Sequence, residues 1–140
     1  MSIQDAATDI REEFDFLDDW EERYAHIIDL GKANTGLAAH ERTEETRVRG
    51  CASQVWLVSE HGDNNTLILR AESDAIIVSG LIALLIRLYS GQAANEISSF
   101  DANEFLQEIG VSGALTAQRS NGLASMLARF QSDAQALLAS

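Results

Sequence analysis

Apolar positions recur along this chain at two periods, and the change of period divides it. Ile3, Ile10, Phe14 and Leu17 fall at helical spacing, which predicts a first amphipathic helix. Asp18-Asp19-Trp20-Glu21 reads as an N-cap with an acidic residue three positions on. Trp20, Tyr24, Ile27 and Ile28 then form one face of a second helix, ending near Asn34-Thr35-Gly36. After a polar connection over residues 37–45 the pattern changes. Residues 54–61 and 66–71 are β-branched or aromatic at their centres and flank Gly62-Asp63-Asn64-Asn65, a turn composition, so they predict a β-hairpin. Residues 46–49 offer a third strand.

Residues 75–89 are apolar on nearly every side apart from Ser79 and Arg87. A helix of that kind is buried all round, so it is expected as the spine of the fold, with Ser73-Asp74 as its cap. Asp101-Ala102-Asn103-Glu104 opens a short helix through Phe105 and Ile109 that closes at Gly110. Thr116 can cap a last helix that buries Leu123, Met126, Leu127, Phe130, Ala134 and Leu138. The expected order is α-α-β-β-β-α-α-α. That is an α+β fold, a small antiparallel three-stranded sheet packed against helices, in one domain over residues 1–140.

Charge narrows the partners. The net charge is −12, and ten acidic residues fall in the first 30 against Arg11 and Arg23. Such a surface repels phosphate backbones and anionic lipid, so nucleic acid and membranes are not expected as partners. The acidic N-terminal region reads either as a solvated helix face or as a surface that steers toward a basic partner. The longest apolar run, residues 75–85, is too short to span a bilayer, and no secretory signal is expected. A single cysteine forms no internal disulfide, which makes the reducing cytoplasm the expected location.

That cysteine is the candidate chemistry. Cys51 follows Gly50, whose freedom at φ lets a tight loop push a thiol outward. Arg47 and Arg49 are close by, and no carboxylate occurs over residues 46–59, a setting that favours the nucleophilic thiolate. Local features alone leave two readings open, a reactive thiol and a small buried hydrophobe. Without a second cysteine, a dithiol cycle within one chain is excluded, and Cys51 is left to accept a group and hand it on. His26, His40 and His61 show no metal-ligand spacing, and no glycine-rich phosphate loop follows a strand. Arg119 sits where a last helix begins, an end that prefers acidic side chains, so it reads either as a solvated first-turn residue or as a candidate for holding an anion or a partner carboxylate.

Taken together the motifs resemble the SufE family of sulfur acceptors for cysteine desulfurases. The resemblance rests above all on Val48-Arg49-Gly50-Cys51-Ala52-Ser53-Gln54-Val55-Trp56-Leu57. Tyr24-Ala25-His26-Ile27-Ile28-Asp29-Leu30-Gly31, Ser73-Asp74-Ala75-Ile76-Ile77-Val78 with Gly80-Leu81-Ile82-Ala83, and Arg119-Ser120-Asn121-Gly122-Leu123 with Met126 join it in the family's order. The chain departs in having no proline; Ala117 stands where members commonly carry one before the arginine of the last helix.

The resemblance implies that Cys51 takes persulfide sulfur from a SufS-like, pyridoxal-phosphate-dependent cysteine desulfurase and relays it to an iron–sulfur scaffold. The cofactor would belong to the desulfurase and none to this chain, which would be an accessory protein rather than an enzyme. Gly50 would free the loop, and Arg119, Asp74 and Arg49 would face the partner. Members keep the cysteine on a loop that can tuck the thiol into an apolar recess. Two other classes remain at this point, a cysteine enzyme that acts alone and an acidic interaction module with an inert cysteine.

Overall fold

The computed structural model describes residues 2–34, 36–48, 54–111 and 117–139, with the backbone alone for 117–120. Two helices come first, α1 (Ile3–Asp15) and α2 (Trp20–Ala33). The hairpin follows as β1 (Val55–His61) and β2 (Thr66–Ser73), then α3 (Ile76–Tyr89) and the two-residue β3 (Gln92–Ala93). α4 (Ala94–Ser99), α5 (Ala102–Glu108) and α6 (Ala117–Ala139) close the chain. Among these elements no helix is long and apolar enough to cross a membrane.

The helices begin where side chains meet their first amides. Ser2 and Asp5 exchange hydrogen bonds at the start of α1; Asp19 accepts from the Glu22 amide at 2.8 Å, and Asp101 from the Glu104 amide at 3.1 Å. α3 is the spine expected of it. Ile77, Leu81, Ile82, Leu84, Leu85, Leu88 and Tyr89 are all buried, and α1, α2 and β2 pack around them. Each full burial of such an aliphatic side chain stabilises the fold by roughly 1.5–3 kcal/mol. α2 and α3 approach through glycines. A Cβ on Gly80 would sit 2.6 Å from Ile27 Cγ2, and one on Gly31 would sit 2.8 Å from the Gly80 amide nitrogen.

The class is α+β with an antiparallel three-stranded sheet, ordered β1–β2–β3. The third strand comes from elsewhere, however. Residues 46–48 contribute a single bridge, Arg47 to Trp56, whereas β3 pairs with the far edge of β2 through Leu67–Gln92. A two-residue strand carries no periodicity to read, and α4 was equally invisible. The hairpin forms as expected, and its side chains alternate: Val55 and Leu57, with Leu67, Leu69 and Ala71, face the core. Asn64 and Asn65 make the turn with φ of 58° each, a region that asparagine tolerates better than most residues.

Two apolar faces differ from expectation. On α2 only Ile27 is buried, while Trp20 stays exposed and Tyr24 and Ile28 are half-buried, because α3 covers one narrow stripe. On α6 Leu137 is buried and Leu138 exposed; the stripe Leu123, Met126, Phe130, Ala134 steps next to 137 as the 3.6-residue period drifts. Thr116 lies outside the described residues.

Candidate functional site

The polar connection after α2 is laced to the outer face of β2. Glu72 accepts from the Leu37 amide at 2.9 Å and pairs with Arg42 at 3.1 Å. Gly36 has φ of +68°, and a Cβ there would run into the Glu72 carboxylate. Arg70 holds Glu41 through two hydrogen bonds, of 2.9 and 2.6 Å, and reaches Glu60 at 3.0 Å. The bidentate guanidinium, with the Ala38 amide, holds the Glu41 carboxyl down at about 2. The lacing returns the chain to the edge of β1.

There it forms a stem. The Val48 amide donates to the Val55 carbonyl and the Leu57 amide to the Thr46 carbonyl, both at 2.8 Å. The cysteine motif joins the two sides of this stem. Arg49, Gly50 and Cys51 themselves lie outside the described residues, which run up to Val48 and resume at Gln54.

Asp74 is brought to that stem. β1 and β2 pair Val55 with Ser73, so the next step outward sets Gln54 against Asp74. The Gln54 amide donates to Asp74 Oδ1 at 3.0 Å, and the Asp74 amide donates to the Gln54 carbonyl at 3.2 Å. This overturns the capping role read for Asp74. The N-cap of α3 is Ala75, which has no side-chain cap bond, and Ser73 Oγ instead accepts from the Ala75 amide at 3.2 Å. Asp74 closes the base of the cysteine segment rather than the end of the helix. The cap expectation failed because a sequence does not state strand register.

α6 lies on the other side of the stem. Ser59 Oγ donates to Asp133 Oδ2 at 2.6 Å and ties β1 to this helix. Val48, Ser125, Ala128 and Arg129 line an open recess of about 330 Å³. Arg129 therefore stands beside Val48, the last described residue before the cysteine segment, a cation that no sequence motif marks. Its only trace in the sequence is one place in the set 125, 128, 129, which shares a helix face with two small residues. Arg119 belongs to the first turn of the same helix; its side chain is outside the described residues. The geometry thus gathers Asp74, Val48 and Arg129 at the stem. Among the described residues no cluster of three or more His, Cys, Asp or Glu side chains could hold a metal ion.

A family model for SufE, described as an Fe-S metabolism associated domain, matches residues 8–134. The chain belongs to the SufE family. That membership places it in iron–sulfur metabolism. An uncharacterized SufE-like protein of Rhizobium etli is 49% identical over 129 residues, covering 90% of this chain and 87% of the relative. A second SufE-like protein, from Rhizobium meliloti strain 1021, is 43% identical over 132 residues, covering 92% and 94%. The solution structure of a hypothetical protein from Thermus thermophilus superposes with a TM-score of 0.77, covering 96% of this chain and 97% of the other. At 19% identity that likeness speaks for the fold alone.

Proposed function

We propose that this chain is a cytoplasmic sulfur acceptor that activates a SufS-like, pyridoxal-phosphate-dependent cysteine desulfurase, with Cys51 as the accepting thiol. The observation that carries the reading is the motif around Cys51, the chain's single cysteine, in a sequence that matches the SufE family from residue 8 to residue 134. Cys51 attacks as thiolate, because the thiolate is the nucleophile. Its lone pair forms a new S–S bond to the terminal sulfur of the desulfurase persulfide. The old S–S bond breaks, its electron pair leaves on the desulfurase cysteine as thiolate, and the proton of the persulfide travels with the transferred sulfur. No net oxidation occurs. A thiolate on the iron–sulfur scaffold repeats the same exchange on the Cys51 persulfide.

The chain's own residues supply position and charge. The stem at Val48 and Val55 and the clasp of Asp74 on Gln54 hold the two ends of the cysteine segment together. Arg47 and Arg129 flank its root, and positive charge favours a thiolate or persulfide anion. Gly50 frees the loop, and Arg49 and Arg119 meet the partner surface. The pyridoxal phosphate stays on the desulfurase, so the chain acts as an accessory protein and a covalent carrier.

The test is an intact mass, taken without reductant, after incubation with an active cysteine desulfurase and free cysteine. A gain of one or more sulfur atoms, lost on reduction and absent in Cys51→Ser, is the expected result. Sulfur uptake or full desulfurase stimulation by Cys51→Ser would refute the acceptor role.

A further inference from the structure

Within the acidic N-terminal region lies an apolar feature that sulfur transfer at Cys51 does not use. Trp20 meets Tyr24 edge-on with ring centroids 5.7 Å apart, and together with Glu21, Ala25 and Ile28 they line an open groove of about 290 Å³. Trp20 is 36% exposed, and Phe16, in the turn just before α2, is 83% exposed. Exposed aromatics grouped on one turn are costly to leave in water and are enriched where proteins dock. The groove lies at the foot of the roughly 300–1,000 Å³ range of ordinary ligand pockets and is open, a size for one or two side chains.

The rim sets the kind of partner. Glu21 lines the groove, and Asp15, Asp18, Asp19 and Glu22 lie within five residues of Trp20 in the chain; all five are exposed. Between residues 12 and 31 the only arginine or lysine is Arg23, and Arg11 is paired with Glu108 at 2.5 Å. A second copy of this chain would bring the same negative charge against itself, and an anionic lipid surface would be repelled. A basic protein surface is complementary. The helix that carries the groove continues to the start of α3, close in sequence to Asp74. Ile28 lies one turn before Gly31, whose Cβ would sit 2.9 Å from the Ile76 carbonyl. Ile76 is 51% exposed and follows Asp74 by two residues. From Trp20 to Gly31 the helix rises only about 16 Å, within the reach of a standard interface of about 800 Å² per partner.

We infer that this groove is a second docking site for the desulfurase: a basic segment of that partner inserts an apolar side chain between Trp20, Tyr24 and Ile28, and its lysines or arginines meet the acidic rim. The inference rests on the sulfur-acceptor reading. It is tested by measuring the Kd of the full-length chain for the desulfurase from the same genome, at low and high salt, alongside Trp20→Ala and the double variant Asp18→Lys, Glu21→Lys. Each variant is first shown to keep its near-ultraviolet circular dichroism and thermal midpoint. Trp20→Ala is expected to weaken binding tenfold or more, and the charge reversal to weaken it and flatten its salt dependence, with Cys51 still accepting sulfur at saturating partner. Wild-type affinity in both folded variants overturns the docking site and leaves the acceptor reading standing. No complex with the wild-type chain overturns both. A dimer of this chain that Trp20→Ala dissolves, with desulfurase affinity unchanged, assigns the groove to self-association and overturns the inference.

Discussion

Replacing Asp74 by alanine separates two roles for one carboxylate. In the structure Asp74 Oδ1 accepts the Gln54 amide at 3.0 Å, while the backbone bond from the Asp74 amide to the Gln54 carbonyl survives any change of side chain. A hydrogen bond to a charged group is worth about 1.5–3 kcal/mol. Asp74 is exposed, so water replaces part of that, and a loss of about 1 kcal/mol is the reasonable size. At the base of a loop this loss appears as local opening rather than global unfolding. One kilocalorie is a factor of about five in an equilibrium constant, so amide hydrogen exchange at Gln54 should speed up about fivefold, since a tenfold change takes about 1.4 kcal/mol. Asp74→Asn keeps an acceptor without the charge and should fall between. Amides at the start of α3 should be unaffected, because Ala75 has no side-chain cap bond. If exchange instead accelerates at Ile76 and Ile77, the amides an Asp74 cap would hold, and stays unchanged at Gln54, the carboxylate caps the helix and the clasp is refuted. Slower sulfur acceptance by Asp74→Ala at unchanged thermal midpoint would tie the clasp to function.

Two other perturbations test the frame. Gly80→Ala places a methyl 2.6 Å from Ile27 Cγ2 and against the Ile27 carbonyl, so α2 and α3 must separate. Overpacking costs roughly 1–3 kcal/mol, at the upper end here because the clash is with backbone, and the helix-propensity gain of about 1 kcal/mol offsets part of it, leaving a net loss of roughly 2 kcal/mol in urea unfolding. A more stable Gly80→Ala variant would show that the helices do not approach as described. Glu41 titrates at about 2 rather than 4.5, so its pairing with Arg70 stabilises the fold fully above pH 4.5 and is lost as pH falls toward 2. A carboxyl-resolved titration should find that midpoint, and Arg70→Ala should move it up toward 4.5; a Glu41 midpoint that ignores Arg70 would contradict the bidentate pair.

Periodicity made most of the scaffold legible. The all-round apolar pattern of 75–89 marked a buried spine, and the β-branched and aromatic runs at 54–61 and 66–71 around an asparagine-rich turn marked a hairpin. Both are local patterns that burial imposes on a helix or a strand. The cysteine motif was legible too, since thiol, glycine and arginines are adjacent in the chain. β3 was not, because two residues contain no repeat and are ordered only by the strand they join. Neither was the exposure of Trp20, since an amphipathic face does not announce how much of it a neighbour covers.

The site divides along the same line. Sequence alone determined that one thiol stands in a positive, carboxylate-free stretch of a SufE-like chain, because those properties belong to neighbouring residues. Only the tertiary structure decided that Asp74 closes the base of that stretch instead of capping α3, and that Arg129, 78 positions after Cys51, stands at its root. Strand register and the packing of α6 on β1 bring those side chains there. Both are set by which apolar faces can be buried together, and that depends on the whole chain at once.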